Sequence, residues 1–232
     1  MKHALFLAIV AVLAVSCSND EPTSPEPTGP RRLTVGSSFT YEGYQLDADG
    51  IKKAGTDFEA IYTVIDSNLS YAGKTGVWAL RTTGPTGADT VYQCLDANND
   101  LLQFTEIGNE NKVSFWVRFP VSTTAQTKDS TTATQSVNGV PLNIQYVWTV
   151  EKQGESPIIV GTESVTATSM VLRLMIKATA FGQTVLNVTI SQSAAFAPKI
   201  GAFVLQSANE QTITTGNVVP GYYQKMKAYA LK

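Results

Sequence analysis

Histidine is almost missing: the 232-residue chain has one, His3. His3 falls in a leader, so the exported product carries no imidazole. That excludes Ser-His-Asp and Cys-His nucleophiles, histidine general bases and every zinc site that needs a histidine ligand. Cysteine is nearly as scarce. Cys17 and Cys94 form no Cys-x-x-Cys pair, so thiolate metal sites and dithiol redox chemistry are excluded too. Charge is low, with 16% charged residues and a formal net charge of −2. No basic cluster exceeds Arg31-Arg32, which reads as the solvated end of a linker, so nucleic acid is not an expected partner. No apolar run reaches the roughly 20 residues of a permanent membrane helix. No window of a dozen residues repeats with the 3.6 period of an amphipathic helix.

What is present begins with Met1-Lys2-His3, a short positive start, followed by an unbroken apolar run from Ala4 to Val15. A run of that length is a secretory h-region. It ends in Leu13-Ala14-Val15-Ser16-Cys17, which resembles the bacterial lipobox, with leucine four positions before the cysteine and Ala14 third. The resemblance implies cleavage before Cys17, a diacylglyceryl group on its thiol and acylation of its amine. Because one chain anchors only marginally, at about 0.8 kcal/mol per buried methylene, two or three chains make the anchor effectively permanent. Position 18 is serine rather than the aspartate of inner-membrane retention. The Asp20-Glu21 pair resembles the short surface-export signal of Bacteroidetes-type lipoproteins. The expected location is the bacterial cell envelope, as an outer-membrane lipoprotein facing the periplasm or the surface. The expected membrane partner is reached through Cys17.

Ser18 to Arg32 holds Pro22, Pro25, Pro27 and Pro30 and no apolar period. Proline fixes φ and removes backbone donors, so residues 17–32 read as a disordered, extended tether after a signal peptide of residues 1–16. At about 3.1 Å per residue the tether reaches roughly 45 Å.

From Leu33 the period changes to two. Phe39 and Tyr41 share a face, as do Phe58, Ala60, Tyr62 and Val64. Val113, Phe115, Val117 and Phe119 alternate with Ser114, Trp116 and Arg118. Leu142, Ile144, Tyr146, Trp148 and Val150 make the cleanest strand. Two more run through Met170–Ile176 and Leu186–Ile190. Tyr222 to Lys232 reads as a final strand. Asp47-Ala48-Asp49-Gly50, Gly84-Pro85-Thr86-Gly87, Asp96 to Asp100, Asn138-Gly139 and Phe181-Gly182-Gln183 carry turn chemistry between them. The alternation buries one face of each strand. The expected fold is therefore all-β: antiparallel strands in a strongly curved sheet, a half-barrel or a sandwich, in one domain over residues 33–232. Ser122 to Ser136, rich in Ser, Thr and Gln, reads as a long loop or a linker between halves, and an exposed loop in one continuous β body is the preferred reading.

Gly161-Thr162-Glu163-Ser164-Val165 and Phe196-Ala197-Pro198-Lys199-Ile200-Gly201-Ala202-Phe203-Val204 together resemble phrases of the family of unknown function 3108 and its TapB-like relatives. Lys199 stands where that pattern has glycine. The resemblance spans Gly161 to Leu205, about a fifth of the chain. It implies an exported β protein with no assigned chemistry, and a likeness to half-barrel lipoprotein carriers of acyl chains. It carries over no catalytic residue.

The remaining candidate constellations are weak. Asp96-Ala97-Asn98-Asn99-Asp100 has calcium-loop acidic spacing, but Leu101 and Ile107 stand where an EF-hand needs glycine and glutamate, so a hairpin turn is the better account. Asp57 with Glu59, and Glu106 with Glu110, are the carboxylate pairs that acid/base chemistry would need, and nothing in the sequence brings either pair together. Cys94 alternates with Tyr92 and reads as a buried thiol. The sequence therefore assigns Cys17 as the lipid-attachment residue and gives no catalytic residue, no metal ligand, no cofactor and no specific ligand-binding residue. The expected role is a non-catalytic binding or structural module of the envelope, engaging another envelope protein. The alternatives are a carrier or sensor of a hydrophobic ligand in the curved sheet, and an Asp/Glu hydrolase.

Overall fold

The computed structural model describes residues 29–85, 87–107, 112–122, 124–137, 139–214 and 217–232. The leader, Cys17 and most of the tether lie outside the described residues, as does Glu110. Fourteen strands, and no helix, occur among the described residues. They are β1 (Ser38–Leu46), β2 (Phe58–Tyr71), β3 (Lys74–Gly84), β4 (Gly87–Leu95), β5 (Leu101–Ile107), β6 (Val113–Phe119), β7 (Gln126–Val137), β8 (Val140–Val160), β9 (Glu163–Ala180), β10 (Gln183–Ala197), β11 (Ala202–Ala208), β12 (Gln211–Thr214), β13 (Asn217–Val219) and β14 (Gly221–Ala230).

Twelve of them form one antiparallel sheet in the order β6-β5-β4-β3-β2-β1-β14-β11-β10-β9-β8-β7; β12 and β13 pair separately. Most neighbours in space are neighbours in sequence, as short turns dictate. The long-range join is β1 against β14, which ties the first strand to the last. The sheet curls until its ends meet. Thr127 Oγ1 on β7 donates to Arg118 O on β6 at 2.6 Å, and Phe115 of β6 stacks on Trp148 of β8 with centroids 4.0 Å apart. The result is a nearly closed, barrel-like sheet, more complete than a half-barrel and all-β as the alternation requires.

The inner face carries the core. Phe39, Tyr41, Val64, Leu80, Val117 and Val150 are all buried in one continuous cluster. Phe203 of β11 meets Phe119 of β6 and Phe196 of β10 edge-on, at 5.1 and 5.5 Å. A smaller cluster lies on the outer face, where Val77, Cys94 and Leu102 are covered by Leu69, Tyr71, Tyr92 and Trp116. The tip of the β2–β3 hairpin folds over these residues, and Trp116 Nε1 donates to Ala72 O at 3.0 Å. Cys94 is therefore buried, in this satellite rather than in the main core.

Two sequence expectations are corrected. The Ser/Thr-rich segment 122–136 is not a loop. From Gln126 to Val137 it is β7, paired with β8 residue for residue and without a bulge. Threonine is β-branched and suits a pleated ladder. An edge strand has one neighbour, and β8 supplies the large apolar residues, so β7 needs few of its own. Among the described residues of the segment, only Ser122, Thr124 and Ala125 lie outside a strand, and they follow the buried Pro120 and Val121. There the fully buried Asp100 accepts from Ser122 N, Ser122 Oγ and Thr124 Oγ1.

The second correction concerns the tether, which ends earlier than Arg32. Pro30 is buried, and Arg31 N donates to Pro198 O at 2.7 Å in the β10–β11 turn. That turn closes without the glycine that Lys199 replaces, because Gly201 takes the positive φ (+81°) and donates to Ala197 O at 2.9 Å. A Cβ on Gly201 would lie 2.5 Å from Arg31 O, so the same glycine admits the incoming chain.

Candidate functional site

Among the described residues a concavity of about 870 Å³ forms a mouth at one end of the barrel. Its wall is the inner face of β14, β1, β2, β3 and β4, where consecutive pairing lines up residues from distant parts of the chain. Gln224, Gly43 and Phe58 form one row across β14, β1 and β2. Tyr62, Thr82 and Asp89 form another across β2, β3 and β4. Tyr222 and Gln45 face each other across β14 and β1.

Gly43 is required where it stands. A Cβ there would meet Tyr223 O at 2.4 Å and the Phe58 ring at 2.5 Å. Its absence lets the Phe58 ring lie across β1 and line the mouth. The Tyr62 ring is held by Tyr41, with centroids 4.8 Å apart, and Tyr41 is itself fixed by donating to Phe203 O at 2.8 Å. Burial, with the Tyr62 phenol beside it second, pushes the Tyr222 phenol far above the ordinary tyrosine value. Tyr41 is raised by the same two causes in the same order. These phenols stay neutral and keep their O–H at any physiological pH. The hydroxyls of Tyr62 and Tyr222 have no hydrogen-bond partner among the described residues.

Asp57 also lines the mouth and is ion-paired with Lys52 at 2.5 Å. Asp89 has no ion-pair partner among the described residues; its Oδ1 accepts from Thr90 N at 2.7 Å. No lysine or arginine lines the mouth among the described residues.

Below the mouth lies a belt of buried amides. Gln93 Nε2 donates to Gln103 Oε1 at 2.9 Å, and Gln224 Nε2 donates to Gln206 Oε1. Pairing these amides avoids the roughly 1–3 kcal/mol cost of burying each one unsatisfied. The belt surrounds a void of only about 50 Å³. Beside it, sharing Gln103, is an apolar cleft of about 220 Å³ among Ile107, Phe115, Trp148, Leu172, Leu174 and Ile190.

Among the described residues, those singled out from sequence do not converge on the mouth as a catalytic pair; Glu110, the partner considered for Glu106, lies outside them. Asp57 pairs with Lys52 and Glu59 with Lys227. Glu106 pairs with Lys112 at 2.9 Å. Asp96 to Asp100 is the β4–β5 turn: Asp96 Oδ1 accepts from Asn98 N and Asp100 N, and Arg118 Nε lies 3.1 Å from Asp96 Oδ2 as an ion pair without hydrogen-bond alignment. Sequence reasoning missed Phe58, Tyr62 and Tyr222 as site residues. Each sits in an ordinary alternating strand, and the only local signal was the apolar period, which marks core and site alike.

Fold and site together define a nearly closed antiparallel β-barrel with one open, aromatic-lined end. No family model matches the chain, and no curated protein matches it. The likeness of the Gly161–Leu205 phrases to the family of unknown function 3108 thus has no family match behind it. Among solved structures, a Bacteroides fragilis protein described as exported and of YmcC-like fold aligns over 88% of this chain and 99% of that one, with 11% identity and a TM-score of 0.40. A likeness that loose fixes no function.

Proposed function

We propose that the chain is a lipid-anchored protein of the bacterial envelope whose β head is a non-catalytic binding module, with the barrel mouth as its ligand site. The anchor is the acylated Cys17, in the outer membrane. The observation that carries the binding reading is the mouth itself. Ligand sites are typically concave pockets of about 300–1,000 Å³ with aromatic walls and a few polar groups, and the mouth falls in that range while the inner cleft falls below it. Unpartnered hydroxyls on fixed rings are groups that a ligand would complete.

The geometry also gives the site a direction. Arg31 docks at the Ala197–Ala202 end of β11, and the mouth lies at the Ala208 end. Seven residues of β11 separate them, about 20 Å of strand. The head therefore opens away from the point where its tether leaves. A hydrophobic-ligand carrier remains the second reading, favoured by the apolar lining of the cleft and opposed by its size.

Two measurements test the proposal. Cells fed radiolabelled palmitate should label this protein and not its Cys17→Ala variant; equal absence of label in both removes the anchor. A photo-reactive benzoylphenylalanine placed at Thr82, on the inner face of β3 in the mouth of the full-length protein in its host, should form a discrete adduct on irradiation, read by mass. The same group at Thr189, on the outer face of β10, should not. No adduct at Thr82, or equal adducts at both positions, defeats the binding reading.

A further inference from the structure

The mouth is built of groups that suit one chemical class better than others. Its rings, Phe58, Tyr62 and Tyr222, offer flat apolar faces. Between them stand groups that both donate and accept, the Gln45 amide and two phenolic hydroxyls, together with the Asp89 carboxylate as acceptor. An anion is disfavoured, because two carboxylates and no cation line the cavity among the described residues. An acyl chain would strand the unpartnered hydroxyls and meet the paired glutamines of the floor. An extended peptide has no ladder to join, because β14, β1, β2, β3 and β4 are each paired with a neighbour in turn and none is a sheet edge. A pyranose ring matches both features at once. Its C–H face stacks on an aromatic plane, and each of its hydroxyls can both donate and accept.

We infer that the mouth binds a neutral oligosaccharide, a sugar ring stacking on Tyr62 and Tyr222 while its hydroxyls bond their phenols, Gln45 and Asp89. This rests on the mouth being a ligand site and adds the ligand's chemistry. Tyr222 is the anchor: it faces Gln45 across the β14–β1 pair, and its phenol is neutral. The site opens at the end of the barrel opposite the Arg31 entry, so a ligand can reach it from the side away from the tether.

The test uses the full-length lipoprotein in nanodiscs. The probes are three pools from the host's own envelope: neutral oligosaccharides released by mild hydrolysis, anionic oligosaccharides, and peptides. Calorimetric binding is expected with the neutral pool alone. It should change less than about twofold between roughly 0.05 and 0.5 M salt, because no charge pair is made. Tyr222→Ala should lose about tenfold or more, the size of one lost aromatic contact with its hydrogen bond. Tyr222→Phe keeps the ring and should lose less. Circular dichroism matching the wild type ensures that each variant is folded.

Binding of the anionic or peptide pool in preference to the neutral one overturns the inference. So does neutral binding that Tyr222→Ala leaves intact, or steep salt dependence. A Thr82 adduct of lipid or peptide mass sinks the glycan assignment while the ligand site stands. An empty Thr82 position sinks both.

Discussion

The Cys94 thiol is only 2% exposed, beneath Tyr71 and Tyr92, whose rings stack 3.8 Å apart. Burial raises its pKa above the ordinary thiol value, so the reactive thiolate is scarce as well as hidden. Labelling of folded protein with a thiol reagent should therefore be slow, and labelling after urea denaturation fast. Equally rapid labelling of both states would contradict the burial. Tyr41 and Tyr222 carry a second consequence. Their phenols ionise only at a pH well above the ordinary tyrosine value in the fold, but near pH 10 in the unfolded chain. A raised folded pKa means the unfolded state loses its protons first. This stability is fully present below about pH 10 and is lost as pH rises past it. The urea midpoint should fall between pH 8 and pH 11, and should fall less in Tyr41→Phe. A midpoint unchanged over that range would rule out a buried neutral pair.

At the scale of the element, the β9–β10 turn is the most unusual. Phe181 is 85% exposed and adopts a positive φ of 50°, followed by Gly182 at 77°. Two successive residues at positive φ make the hairpin turn for which Asn-Gly is the favoured pair. A bulky side chain is costly in that conformation. Phe181→Asn should stabilise the head by up to about 1 kcal/mol, or roughly 2–4 °C in Tm. A lower Tm would mean that the ring makes a contact worth more than the backbone strain. β7 teaches the opposite lesson about elements. Its polar spelling reads as a loop only if apolar alternation is demanded of every strand, and an edge strand escapes that demand because its inner neighbour supplies the core.

For the whole molecule, the seam between β6 and β7 decides whether the sheet is a barrel or an open ribbon. Side chains close it more than backbone does: Phe115 stacks on Trp148 and approaches Tyr146 at 6.4 Å. Phe115→Ala should cost roughly 3–5 kcal/mol in unfolding free energy. Hydrogen exchange should quicken first in β5, β6 and β7. Quickening spread evenly over all strands would mean that closure does not depend on this stack. The same curl creates the mouth, because a flat sheet with these residues would have no concavity to hold a ligand.

Period two determined the all-β class, the inner residues of β1, β2, β6 and β8, and the positions of most turns, because burial of one pleated face acts strand by strand and is written locally. Cys94 was legible as buried from its alternation with Tyr92, but its cover, the β2–β3 hairpin tip on the outer face, was not. Only the tertiary structure decided which strands meet. Pairing of β1 with β14 joins residues nearly the whole chain apart, and no local pattern specifies that register. The mouth depends on that pairing, since Tyr222 and Gln224 reach Gln45, Phe58 and Tyr62 only through it. A binding surface made of ordinary strand residues becomes visible when curvature turns one face into a wall, and curvature belongs to the whole sheet.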